Sequence, residues 1–475
     1  MRSSRAATTP DDSTDVPLFD LTVVEARRML VAGAVTPEQY RVALRERAAQ
    51  AAAYNTTVTF VAAPPSAPSG PLQHIPIVVK DNIDVAGAAT TAGTPGLIAN
   101  VATGDAGVVR GLVAAGAHVS GKNVMHELAL GATTNNPLHG AAHNPWQHGR
   151  TAGGSSGGTA AAVALGIAPA GIGTDTGGSV RVPAALCGVF GFRPSIGRYP
   201  NDGIVPICLT RDTAGPIARS LEDIVVLDSV LARRVSVQPA PAIAEIRLGF
   251  TPVHFTDLDS DVAEATDRAR RDLEKLGATS VLVDIDDLVA EAFDIAPLLV
   301  WGEFRAALSG YLAAGHISDV DGVLDAVRSP DVSDAIARGL DSVTSDLHRR
   351  ALATRDRLRT ELTERCRRAG IHALLFPTTP VVAPLLGQDD TIELAGRRVP
   401  TFATIIRHGD LGGVLGLPGI SVPIGLGTAS GLPVGIELSA PPGRDDTLLA
   451  VAGEVSRHIA RPHRPSSIRL AALGH

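Results

Sequence analysis

Aromatic residues are scarce here: two Trp, four Tyr and ten Phe in 475 residues. The core must therefore be filled by alanine, valine and leucine. Cysteine is scarcer still. Cys187, Cys208 and Cys366 are an odd, sparse set with neither a disulfide framework nor zinc-ligand spacing, which fits a reducing compartment and a cytoplasmic location. Long apolar runs are missing. The most apolar stretch, Ala160 to Ile172, is short, small-sided and broken by Pro169, so no membrane span is expected. The opening MRSSRAATTPDDSTDVP lacks the apolar segment of a signal peptide and reads as a mobile tail. Positive charge is not in excess: 42 Lys and Arg against 49 Asp and Glu leave a net charge of −7, which argues against a nucleic-acid partner. Internal repeats and low-complexity linkers are absent as well.

What is present is an ordinary globular composition, 45% apolar and 19% charged. Thr22 with Glu25 and Thr36 with Gln39 fit the capping-box pattern, and Pro37 suits a first helical turn. IPIVV (75–79), AHVSGKNVM and LGIAPAGIG read as strand-bearing segments. SLEDIVVLDSVLA reads as a capped helix. RLGFT, a charged helix from about Asp261 and SVLVDI repeat a strand–helix–strand rhythm. Helical sequence dominates from about Asp286 to Gly370, and HALLFP, GISVPIG and LPVGIEL are further strand candidates. The class is α/β. Five parts are expected: the tail (1–16), an N-terminal helical segment (17–70), a glycine-rich core (71–232), a helical and α/β insertion or lid on the substrate side (233–400), and a last part (401–475) that completes the core sheet and ends in a helix.

Two glycine–serine stretches carry the chemistry. TAGGSSGG (151–158) precedes a good helix former, TAAAVALG. It is not a phosphate-binding loop, because no lysine follows the glycines, and its spacing is wrong for a dinucleotide fingerprint. Ser155 or Ser156 there has the plain alternative of capping that helix. GIGTDTGGSVRVPAALCG (171–188) places Ser179 on a tight turn at a helix start. A nucleophile is well presented there, with turn N–H groups nearby for an oxyanion. It is not G-x-S-x-G, and no histidine adjoins either serine, so a base must come from elsewhere. Lys80 ends the apolar strand in IPIVVKDNIDVAG. Burial would lower its pKa and make it a candidate base; by itself it is equally a solvated rim residue or a partner for Asp81. His139, His143 and His148 cluster among Gly140, Pro145 and Gly149, where no helix fixes a metal geometry, so no metal is expected. Cys187 reads as a small buried hydrophobe.

Taken together, VVKDNIDVAG, GGSSGGTAAAVA and GTDTGGSVRVPAALCG, with 24 residues between Ser155 and Ser179, resemble the amidase signature family. MHELALGATTNN and RDTAGPIARS look most like its indoleacetamide and mandelamide hydrolase branch. The resemblance implies a large central, mixed, twisted β-sheet covered by helices on both faces. It implies a Ser–Ser–Lys triad: Ser179 as nucleophile, Ser155 as bridging serine in a cis peptide, and Lys80 as base. The N–H groups of Thr176, Gly177, Gly178 and Ser179 would form the oxyanion hole. Asp175 and Arg181 would hold the nucleophile loop, Ser156 and Thr174 would hydrogen-bond around the lysine, and Leu130, Gly131, Ala132 and Thr133 would line the acyl pocket. The implied activity is hydrolysis of small, mostly apolar amides, with anilides, carbamates and esters open to the same acyl transfer. No cofactor is called for, and the family admits a homodimer. Two other functions share these residues or this fold: the glutaminase-type A subunit of a tRNA-dependent amidotransferase, and a non-catalytic binding protein.

Overall fold

The structure is a computed structural model that describes residues 16–459 apart from 65, 235–237 and 316–318. All but one residue of the expected tail thus lies outside the described residues.

Among the described residues thirteen strands follow one another: β1 (Thr57–Phe60), β2 (Pro76–Lys80), β3 (His118–Asn123), β4 (Ala170–Asp175), β5 (Phe190–Arg193), β6 (Thr213–Ala218), β7 (Arg247–Phe250), β8 (Thr279–Leu282), β9 (Ala373–Pro377), β10 (Thr391–Leu394), β11 (Arg397–Pro400), β12 (Gly419–Leu426) and β13 (Pro433–Ser439). Among the described residues, eleven form one sheet in the order β1-β3-β2-β4-β6-β5-β12-β13-β9-β7-β8, while β10 and β11 pair as a separate hairpin. The sheet is mixed. β2 runs parallel to β3 and β4, β6 antiparallel to β4 and β5, and β7 parallel to β8 and β9. This is the mixed, helix-covered α/β sheet the family resemblance implies.

The central strands β2, β4, β5, β6, β9 and β13 are buried along their whole length. A strand reads as a continuous apolar run when both its faces are covered, which is why PIVV and ALLF announce themselves. Aliphatic side chains dominate the largest core cluster, as the scarcity of aromatics requires. The helices Leu221–Leu231 and Asp445–His458 contribute to it, and a second cluster lies beneath Asp286–Ala314 and Ser345–Ala369. Both capping boxes form: the Thr22 hydroxyl accepts from Glu25 N, and the Thr36 hydroxyl from Gln39 N.

Among the strands, β1, β5, β6, β10 and β11 are not legible in the sequence. β6, TAGPIA, carries Gly215 and Pro216 inside a central strand, composition that argues against a strand. The glycine is steric: a Cβ at Gly215 would lie 2.3 Å from Phe192 O. The segment 233–400 is more than helical cover, since β7, β8 and β9 belong to the central sheet itself.

Candidate active site

β2 and β4 are parallel neighbours, so their carboxyl ends lie at one edge of the sheet, where loops are free to build a site. Lys80 ends β2 and Thr174–Asp175 end β4. The apolar residues before Lys80 carry it into the interior, where it is 0% exposed. Its Nζ donates to Ser155 Oγ at 2.7 Å and to Thr174 Oγ1 at 2.7 Å. Burial pulls its pKa down to about 7, against the opposing pull of Asp175 and Asp212. Asp81 is not its partner. That carboxylate lies 3.2 Å from the Nζ of a second buried lysine, Lys122, and its other oxygen accepts from the backbone N–H of Thr91.

The segment around Ser155 packs without space for side chains. The Gly154–Ser155 peptide is cis, and a Cβ on Gly154 would lie 2.7 Å from the Ala132 carbonyl carbon. The Ser155 carbonyl accepts from His126 N at 3.1 Å. Ser156 stands at the N-cap position of the buried helix Gly157–Ala164 but its side chain caps nothing. Its hydroxyl instead donates to Thr174 O and accepts from Thr174 N, both at 3.3 Å, fastening the helix to β4.

Ser179 is half-buried on the turn between β4 and the helix Arg181–Cys187. The main chain ties the two serine segments together, with Ser156 N donating to Ser179 O at 3.2 Å. Among the described residues the Ser179 hydroxyl has no hydrogen-bond partner. Gly178 has φ +127°, a conformation that favours glycine. Its N–H is already bonded to Asp175 Oδ1 at 2.9 Å, which corrects the expectation that all four turn N–H groups face an oxyanion. Those of Thr176, Gly177 and Ser179 donate to no acceptor among the described residues.

Asp175 organises this turn. Beyond Gly178 it accepts from Val180 N at 3.1 Å. It also takes a two-pronged contact from Arg181, Nε at 3.0 Å and Nη2 at 2.9 Å, and a further bond from Arg193 Nη1 at 2.9 Å. Burial pushes its carboxyl up, but Arg181 and Arg193 outweigh it and hold the pKa well below the usual range. Arg181 continues to Glu437 Oε1 at 2.5 Å and to the Gly409 carbonyl at 3.0 Å. All four charged side chains are 0% exposed.

Sequence reasoning missed Arg193, Glu437, Arg211, Asp410 and Asp212. Arg211 pairs with Asp410 beside Gly177 and donates to Thr176 O at 3.3 Å. Asp212 accepts from the Thr176 hydroxyl at 2.6 Å and from Ile207 and Cys208 N. One signal was readable: Glu437 is a lone acid within the apolar strand PVGIELS. Asp410 carried no local signal.

Of the expected acyl-pocket residues, Gly131 packs on the His126 ring, where a Cβ would meet Nε2 at 2.2 Å. Ala132 is buried beside Val182 and Leu186, and Leu130 is partly exposed. Thr133 has a partner within the protein: its hydroxyl donates to Asp389 Oδ1 at 2.6 Å. This loop is also where the helix Pro330–Gly339 is fastened. Asp331 lies 3.0 Å from His126 Nε2, and Glu127 accepts from Ser329 N at 2.6 Å. The three clustered histidines are engaged elsewhere: His143 and His148 stack at 3.8 Å, and His139 Nε2 lies 3.0 Å from the Thr91 hydroxyl.

Comparison with known proteins decides the family. The family model described as Amidase matches residues 38–449. The chain belongs to the amidase family. This amidase is 41% identical to the indoleacetamide hydrolase of Agrobacterium vitis, over 82% of this chain and 84% of that one. It is 39% identical to the mandelamide hydrolase of Pseudomonas putida, over 83% and 80% of the two chains. A solved structure titled as an amidase superposes with a TM-score of 0.81 at 32% identity, covering 93% of this chain and 100% of that one. The protein is thus an enzyme, an amide hydrolase. No helix among its described residues is long and apolar enough to cross a membrane.

Proposed function

We propose that this amidase cleaves the C–N bond of small, mostly apolar amides through an acyl-enzyme on Ser179. The observation that carries the reading is Lys80, fully buried and 2.7 Å from Ser155 Oγ. A lysine with a pKa near 7 is largely uncharged at slightly alkaline pH and accepts a proton. Lys80 takes the Ser155 proton as Ser155 takes that of Ser179. Ser179 Oγ attacks the carbonyl carbon, and the N–H groups of Thr176, Gly177 and Ser179 hold the oxyanion, an interaction usually worth several kcal/mol. The proton returns through Ser155 to the leaving nitrogen, the C–N bond breaks, and water releases the acid.

Thr174 keeps Lys80 aimed at Ser155, while Asp175 and Arg181 keep the turn in shape. The names of the two relatives, hydrolases of indoleacetamide and mandelamide, favour amides that carry an aryl group close to the carbonyl. Anilides, aryl carbamates and esters pass through the same acyl transfer and belong in the same panel. The test is release of amine or ammonia from that panel by the lone chain, with Ser179→Ala beside it. Turnover that disappears in the variant supports the proposal. Turnover that persists in Ser179→Ala removes the assigned nucleophile, and turnover only of glutamine with added partners favours the amidotransferase subunit.

A further inference from the structure

A groove of about 430 Å³ runs between the helix Pro37–Gln50 and the sheet end formed by β1, β3 and β2. Lys80, Ser155, Thr174 and Ser179 take no part in its lining. Its size falls in the range of small-ligand sites, about 300–1,000 Å³. One wall is a helix face: Arg41 and Arg45 lie one turn apart, as do Leu44 and Ala48. The opposite wall is one face of two strands. Pro76 and Val78 alternate out of β2, as do His118 and Ser120 out of β3. The register sets Pro76 against His118.

The groove carries its charged side chains at one end, and Asn55, Thr56 and Thr57 add uncharged polar groups to the rest of its lining. Arg41 is near enough to His118 to act on its charge. At the other end, Ala48, Ala51, Val78 and Ile167 belong to one buried apolar cluster. No Asp or Glu lines the groove among the described residues; Glu38 pairs with Arg41 on the exposed side of the helix. His118 is 6% exposed, and its ring has no hydrogen-bond partner among the described residues. Burial, Arg41 and His74 push its pKa down to about 4, so at neutral pH it is an uncharged ring with an unused N–H.

A buried, unpartnered donor near the Arg41 guanidinium, with Arg45 one turn further along the same helix wall and apolar side chains beyond, fits one ligand chemistry. We propose that this groove binds an amphipathic alkyl monocarboxylate, with its carboxylate at Arg41, Arg45 and His118 and its chain lying towards Ala48 and Ile167. The helix from Arg41 to Ala48 rises about 10 Å, close to the length of an extended octanoate. The site is separate from the proposed chemistry, so the proposal stands or falls without it.

Calorimetric titration of the full chain with butanoate, hexanoate, octanoate and octylammonium tests this. Each methylene buried in the groove strengthens binding about fourfold, so affinity is expected to climb about fifteenfold from hexanoate to octanoate. Octylammonium, of equal length and opposite charge, is expected not to bind. Arg41→Gln with Arg45→Gln should weaken octanoate at least about tenfold, and Ala48→Phe should close the trough and abolish its binding. Amide turnover and circular dichroism report that each variant is folded. The proposal is overturned if octanoate gives no heat at about millimolar concentration, if octylammonium binds equally, or if both variants bind octanoate as the parent does, which would place the acid elsewhere.

Discussion

Lys80→Met tests the buried lysine through stability as well as rate. Moving a lysine from its ordinary 10.5 to about 7 means that the folded protein disfavours the charged form by about 5 kcal/mol. The direction follows from proton counting. Below about pH 7 the lysine is protonated in both states, and the folded state bears the whole cost. Between about pH 7 and 10.5 the unfolded chain holds a proton that the folded chain does not, so stability rises with pH until the cost is gone. Methionine has no such dependence. It does leave the Ser155 and Thr174 hydroxyls without their donor, at about 1–3 kcal/mol, but that loss is the same at every pH. The stability of Lys80→Met relative to the parent should therefore improve by about 3 kcal/mol on going from pH 9 to pH 6. Equilibrium urea unfolding of both proteins at several pH values measures it. The parent's kcat/KM should rise with pH through a midpoint near 7, and the variant should be inactive. A stability difference that is flat across the range would refute the buried, uncharged lysine.

Asp175→Asn removes the carboxylate shared by Arg181 and Arg193 and leaves two buried guanidinium groups short of a counter-charge. Urea unfolding should show a loss of about 3–5 kcal/mol; a loss below about 1 kcal/mol would contradict this account of the cluster. Gly178→Ala places a Cβ at φ +127° and 3.1 Å from Val182 Cγ2, a strain of about 1–3 kcal/mol. Steady-state kinetics should show kcat falling at least about tenfold with the far-ultraviolet spectrum intact, and full activity would mean that the turn tolerates rearrangement. Thr133→Val loses the bond to Asp389 and should cost about 1–2 kcal/mol of stability with little change in KM. A large rise in KM at unchanged stability would instead make Thr133 a direct substrate contact.

Much of the fold was legible because its signals are local. Capping boxes act within a single helical turn, and a strand covered on both faces must be apolar throughout, so Thr22, Thr36 and the run Pro76–Val79 declared themselves. β6 did not, because Gly215 makes room for the neighbouring strand β5, where a Cβ would meet Phe192 O. The candidate site divides in the same way. Lys80, Ser155 and Ser179 stand in three short segments of unusual composition that read together only as a set.

The sequence by itself determined which side chains are available for chemistry and in what order they come along the chain. The tertiary structure decided which of them meet. Lys80 turned from the adjacent Asp81 to Thr174, 94 residues away. Thr133 found Asp389 across 256 residues, and Arg211 found Asp410 across 199. Gly178 lost its N–H to Asp175 because two arginines hold that carboxylate charged and in place. Such pairings depend on how strands order within a sheet and how helices close over it, and that order is set by burial summed over the whole chain, which no short window of residues contains.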